Sequence, residues 1–184
     1  FPFLDLKNHS VEYDPLATDG PCWPLRCCAI STWFCLREIE ALLLVCGDFA
    51  FTSNSVRINL QASKSDQQAK GASRELACTC PVLHLPVWQC PFHAAKEQLT
   101  AVIRSFKADT KVLMTKVPFF PTSVGNRPSK AAIVATIRAV ARTLPQHSEA
   151  SAAHTFGGHA FRRGGVFLLA SLGVSIIEIQ FRVL

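Results

Sequence analysis

Hydrophobic positions recur along this chain with helical spacing in most places and with a two-residue period in one. Residues 27–46 are apolar nearly all round, the pattern of a buried helix. Over 94–107, Leu99, Val102, Ile103 and Phe106 fall at helical intervals and predict an amphipathic helix. Residues 108–128, punctuated by Pro118, Pro121, Gly125 and Pro128, read as loop. Ser129 is placed to cap a helix that carries Ile133, Ile137, Val140, Ala141 and Leu144 on one face and stops at Pro145. Residues 159–172 predict another helix, with Phe161, Leu168, Leu169 and Leu172 inward and Gly173 as its C′ residue, and Val174–Val183 begins a short last one. Val56, Ile58 and Leu60 alternate over Ser55–Leu60, which marks a strand. Polar Gln61–Ser73 suits a hairpin tip and Arg74–Cys80 the returning strand. Residues 1–24, with Pro2, Pro15, Gly20, Pro21 and Pro24, are expected to be irregular. The sum is a mainly α domain with a small antiparallel β-sheet, an α+β fold, over 25–184.

At 184 residues and 49% hydrophobic, the chain can bury one real core, which argues against disorder. A formal charge of +6 suits a polyanionic partner. The most apolar stretch, Cys27–Val45, is interrupted by Arg37, Glu38 and Glu40, so a membrane span is not expected. The start has no secretory pattern, and Cys22, Cys27, Cys28, Cys35 and Cys46 sit in apolar surroundings at no metal-like spacing. They read as small buried hydrophobes in a reducing compartment, the nucleus or another intracellular one. The first residue is Phe1 and the only methionine is Met114, so the sequence is expected to be a piece of a longer chain. The sequence has no G-x-x-x-x-G-K-[ST], H-E-x-x-H or G-x-S-x-G, which leaves NTPase, zincin and hydrolase chemistry without support.

Three groups of residues could carry chemistry. Arg37 falls mid-helix among Trp33, Phe34, Leu36, Ile39 and Leu42, where a guanidinium must be paired. Glu40 follows at three residues, either as an ordinary surface partner or to orient Arg37 toward an anion. His159 and Arg162, three apart, share a helix face just after Gly157-Gly158, where the backbone can approach a ligand and a helix N-terminus favours phosphate. The plainer reading is a basic helix end with His159 as its cap. Finally, Cys78, Cys80, Cys90 and His93 gather three thiols and an imidazole within 16 positions, a donor set for one structural tetrahedral zinc ion, with His84 as a spare. The alternative is a group of free cysteines near a strand end.

Taken in order, these segments resemble the catalytic domain of the tyrosine recombinase (phage integrase) family over about residues 25–182. Trp33-Phe34-Cys35-Leu36-Arg37-Glu38-Ile39-Glu40 looks like its first arginine box, and Asp48 falls where the family often has an aspartate ahead of its sheet. Ala62-Ser63-Lys64-Ser65-Asp66 looks like its hairpin-lysine segment, and His159-Ala160-Phe161-Arg162-Arg163-Gly164-Gly165 like its second box. The Arg-Arg-Gly-Gly form, with Phe119-Phe120-Pro121, Gly125 and Ser129-Lys130, resembles recombinases of eukaryotic mobile elements such as the DIRS type. The Cys/His group, at about 78–93, follows the hairpin, where the fold tolerates insertions.

The resemblance implies phosphoryl transfer on DNA, with Arg37 and Arg162 clamping the scissile phosphate, Lys64 protonating the leaving oxygen and His159 hydrogen-bonding the phosphate. It implies no metal or nucleotide for that chemistry, DNA as partner and self-association on DNA. The family's nucleophilic tyrosine lies beyond the second box, and there the sequence has no Tyr, His or Trp; the one tyrosine, Tyr13, precedes the first box. The expectation is a C-terminally truncated catalytic domain, inactive alone. The competing reading is a non-catalytic, zinc-stabilised DNA-binding or interaction module, and a third is a metal-free helical scaffold.

Overall fold

The apolar run after Cys22 forms the central helix of the protein, but not in one piece. In the computed structural model, which describes residues 1–6, 8–60, 71–106, 116–144, 146–147 and 155–183, α1 spans Pro24–Trp33 and is buried at every position except half-buried Arg26. The chain then leaves the helix through Cys35, whose φ is 51°. The exit is a Schellman closure: Leu36 N–H donates to the Ser31 carbonyl at 2.8 Å and Cys35 N–H to the Thr32 carbonyl at 3.0 Å. Glycine usually takes the left-handed position of that motif; a cysteine there costs about 1–2 kcal/mol. A second helix, α2, follows over Glu38–Leu43. The single helix expected over 27–46 is therefore two helices, because an apolar pattern gives no warning of a turn made without glycine.

The sheet is antiparallel in the order β1 (Phe49–Phe51), β2 (Ser55–Leu60), β3 (Ala72–Ala77). β1 was not expected, and β3 begins and ends earlier than the sequence suggests. Val56, Ile58 and Leu60 face the core, opposite Leu76, Arg74 and Ala72. On the other face Arg57 and Glu75 pair at 2.7 Å in solvent, a contact worth little to stability.

The described helices continue with α3 (Cys80–Leu83), α4 (Pro91–Phe106), α5 (Lys130–Arg142), α6 (Ala160–Ser171) and α7 (Ile176–Val183). Ser129 caps α5 as anticipated, its hydroxyl accepting from Ala132 N–H at 3.1 Å. Gly173, at φ 81°, closes α6: Val174 N–H reaches the Leu169 carbonyl and Gly173 N–H the Ala170 carbonyl, both at 3.0 Å. Leu172, expected inward, is 40% exposed because it lies past the last turn. Ile133, Ile137, Val140, Phe161, Phe119 and Phe120 join α1 in one core, which also takes in Phe3 and Leu6 from a 3₁₀ turn at the start of the chain. The five cysteines from Cys22 to Cys46 are buried and unbridged, as their setting suggested. Among the described residues no helix is long and apolar enough to cross a membrane.

The crossing of α6 over α1 positions the candidate site, and it depends on Gly165. A Cβ at Gly165 would stand 2.1 Å from the Thr32 carbonyl oxygen and 2.6 Å from Cys35 Sγ. Gly165→Ala must push the two helices apart, and overpacking of this kind costs about 1–3 kcal/mol. Urea unfolding should show that loss, while Gly157→Ala, with nothing within 4 Å of its added methyl group, stays within about 0.5 kcal/mol of the parent. Equal midpoints for the two variants would contradict the close crossing.

Candidate functional site

Helix α1 ends with free carbonyls and a negative dipole end, and two arginines close on it. Arg162, in the first turn of α6, donates from Nε to the Cys35 carbonyl at 3.0 Å. Arg74, on the core-facing row of β3, donates from Nη1 to the Phe34 carbonyl and to the Cys35 carbonyl, the latter at 3.3 Å. The left-handed turn at Cys35 aims these carbonyls at the guanidinium groups.

Glu40 ties the two boxes together. Arg162 Nη2 donates to both of its carboxylate oxygens, at 2.8 and 2.9 Å, and both side chains are buried. The same carboxylate accepts the backbone N–H of Arg37 at 2.7 Å, the reach of an acidic N3 residue back to its N-cap. Two expectations change here. Arg37 is not mid-helix but the extended N-cap residue of α2, at φ −81° and ψ 160°. Glu40 does not pair with the Arg37 guanidinium; outside the helix, that side chain no longer shares a helical face with Glu40. Arg37 Nε is instead enclosed and makes no hydrogen bond among the described residues.

Arg74 is the site residue that sequence reasoning missed. Burial pushes its pKa below the usual arginine value; the Glu40 carboxylate acts against this, and the neighbouring guanidiniums of Arg162 and Arg37 add to it. The guanidiniums of Arg37 and Arg162 thus both lie near Arg74, and Arg162 alone of the three is bonded to the Glu40 carboxylate. The available signal was its register: Arg74 sits opposite Ile58, on the side of the hairpin that faces the core.

His159 is the N-cap residue of α6 and is exposed, with no side-chain capping bond. Gly158, just before it, accepts Glu38 N–H at 3.2 Å. A Cβ at Gly158 would fall 2.3 Å from the Glu38 carboxyl carbon. The backbone at Gly158 is thus closely approached by Glu38. Burial raises the Glu38 pKa, but Lys130 at 3.0 Å, a backbone N–H and the charge of His159 outweigh it and hold the carboxyl below its ordinary value. Asp48 accepts Val45 N–H at 2.8 Å and so shapes the turn into β1. Lys64 lies outside the described residues.

The Cys/His group stands apart from the arginines, between the end of β3 and the start of α4. The donor atoms of Cys78, Cys80, Cys90 and His93 all lie within 4.8 Å of one another. His84, in a left-handed conformation after α3, is not among them. Burial would raise the Cys90 thiol, but hydrogen bonds from His93 and Thr79 bring it down to about 6.

No family model and no curated protein matches the chain. Solved structures do. The pre-cleavage complex of the XerH site-specific recombinase with difH substrate matches with a TM-score of 0.60 at 16% identity, over 86% of this chain and 38% of that one. Its post-cleavage complex on palindromic difH matches at 0.64 and 16%, over 99% and 43%. The fold is similar to that of a tyrosine recombinase catalytic domain. The chain spans about two fifths of the recombinase chains it matches. In this recombinase-like fold the arginine cluster sits where α1, α2, β3 and α6 meet, so every helix and strand that frames the site contributes a charged or carbonyl group to it.

Proposed function

We propose that this chain binds DNA phosphate as a tyrosine-recombinase-like domain of DNA recombination and integration. Arg37 and Arg162 form the phosphate clamp, with Lys64 and His159 as its further basic groups and Arg74 buried behind it. The observation that carries this reading is Arg37 Nε, an enclosed donor without a partner among the described residues, near two other guanidiniums. A phosphate oxygen supplies the acceptor it lacks, and guanidinium is the group best shaped to take phosphate oxygens in pairs. Arg162 is already committed through Nε and Nη2, which fixes its plane before any ligand arrives.

The residues also suggest what this domain does not do alone. Tyr13 packs on Trp23 at 5.1 Å, and a hydrogen bond with Cys22, then burial, raise its phenol to about 12. Tyr13, the one tyrosine of these 184 residues, lies ahead of the first box rather than after the second, so our reading of these residues is DNA binding rather than cleavage. The Arg162-Arg163-Gly164-Gly165 run supports a mobile-element recombinase of the DIRS type, acting in the nucleus and self-associating on DNA.

Fluorescence anisotropy with a labelled duplex tests the core of this reading. Binding should weaken linearly in log salt, with a slope set by the number of phosphates contacted. Affinity absent at low salt, or unmoved by salt, would rule out the phosphate clamp.

A further inference from the structure

The four donors of the Cys/His group come from three separate places in the chain. Cys78 directly follows β3, Cys80 opens α3, Cys90 precedes Pro91 at the start of α4, and His93 lies in the first turn of α4. Each is within reach of the others through a specific atom. His93 Nδ1 stands 3.6 Å from Cys78 Sγ, 3.4 Å from Cys80 Sγ and 3.3 Å from Cys90 Sγ, and Cys90 Sγ stands 3.7 Å from Cys78 Sγ.

Four of the six donor–donor distances are close to the edges of a metal tetrahedron, and the other two are no longer than 4.8 Å. Zn–S bonds of about 2.3 Å and Zn–N bonds of about 2.0–2.1 Å at tetrahedral angles imply S–S edges of about 3.8 Å and S–N edges of about 3.6 Å. The Cys78–Cys90 S–S distance and all three S–N distances agree to within a few tenths of an ångström. A chance group of cysteines at a strand end has no reason to direct one imidazole nitrogen at three sulfurs. None of the three thiols is bridged to another. The outer shell is also in place: Thr79 N–H points at Cys90 Sγ at 3.4 Å, and the N-terminus of α4 favours negative charge on that sulfur.

We propose that Cys78, Cys80, Cys90 and His93 bind one structural zinc ion that fastens the end of β3 to the start of α4. Four protein ligands close the tetrahedron, so the ion has no open position for a substrate. Its effect is mechanical. Cys78 N–H is held by the Asn54 carbonyl at 2.7 Å, so the clip also grips the turn between β1 and β2. Arg74 lies four residues before Cys78 on the same strand, and the clip fixes that strand at its exit. Neither the DNA reading nor its failure bears on whether the ion is present.

The test is made on the full chain, purified without chelator. Elemental analysis should give one zinc per chain, and cobalt(II) exchanged for it should show the visible bands of a tetrahedral thiolate site. Cys80→Ser should remove at least four fifths of the bound metal. His93→Cys should keep one metal per chain with stronger thiolate-to-cobalt charge transfer, which reports on the site even if the serine variant folds poorly. His84→Ala should keep the full complement. Stripping the metal should lower the melting temperature by about 10 °C or more. Zinc-free chain with all its thiols reactive, iron in place of zinc, or full zinc in Cys80→Ser would each overturn the proposal.

Discussion

Arg162→Leu should cost about 3–5 kcal/mol of folding stability, the usual loss when one partner of a buried ion pair is removed. The reason lies in what remains. Among the described residues Glu40, 5% exposed, would keep only the Arg37 backbone N–H, and the Cys35 carbonyl would lose its 3.0 Å donor. The carboxylate is nearly shut off from water, and Arg74 could replace Arg162 beside it only by leaving the Phe34 and Cys35 carbonyls. Glu40→Leu alone should be damaging for the complementary reason, an uncompensated guanidinium. The double variant Arg162→Leu, Glu40→Leu should recover much of the loss, since apolar replacement of both members of such a pair is often close to neutral. Urea midpoints for the three variants form a cycle. A single-variant loss under about 1 kcal/mol would mean that Glu40 is solvated and the buried pair is not holding the boxes together.

Arg37→Ala should behave in the opposite way. The contact that Arg37 makes with Glu40 uses its backbone N–H, which alanine retains. Its Nε has no hydrogen bond to lose among the described residues. Folding stability should therefore change by less than about 1 kcal/mol, and relief of guanidinium repulsion offsets part of any packing loss. DNA affinity should fall about 10- to 100-fold, the worth of one charge-assisted hydrogen-bonded contact. The salt slope should drop by about one phosphate contact. Arg37→Lys should restore the slope but only part of the affinity, because an ammonium carries the charge without the paired donors. Unchanged affinity and slope in Arg37→Ala would remove Arg37 from the clamp.

What the sequence disclosed follows burial. Ser55–Leu60 was readable because one face is dry and the other wet, which prints a two-residue period. The faces of α5 and α6 were readable for the same reason, and the caps at Ser129 and Gly173 because their residue types are specific to those geometries. β1 escaped notice because Phe49–Phe51 is too short to show a period. The break at Cys35 escaped because its signal residue is a cysteine, and the position of Arg37 was misjudged in consequence. Arg162 stood out for its place in the second box, but its partner Glu40 is 122 residues away, a pairing no local pattern encodes. Arg74 was passed over because a charged residue in a returning strand is ordinarily assigned to the wet face.

The guanidinium cluster has a cost that appears only in the unliganded protein. Only Arg162 is bonded to the Glu40 carboxylate, while buried Arg74 feels the guanidiniums of both Arg162 and Arg37, so the folded chain carries a repulsion that the unfolded chain, with its arginines dispersed in solvent, does not. An anion that settles among them removes that repulsion and binds the folded form alone, which ties occupancy of the site to the folding equilibrium. The stability of this domain is therefore partly a property of its surroundings. In the DNA-binding reading proposed above, phosphate is that anion, and its binding would steady the fold as well as fill the site.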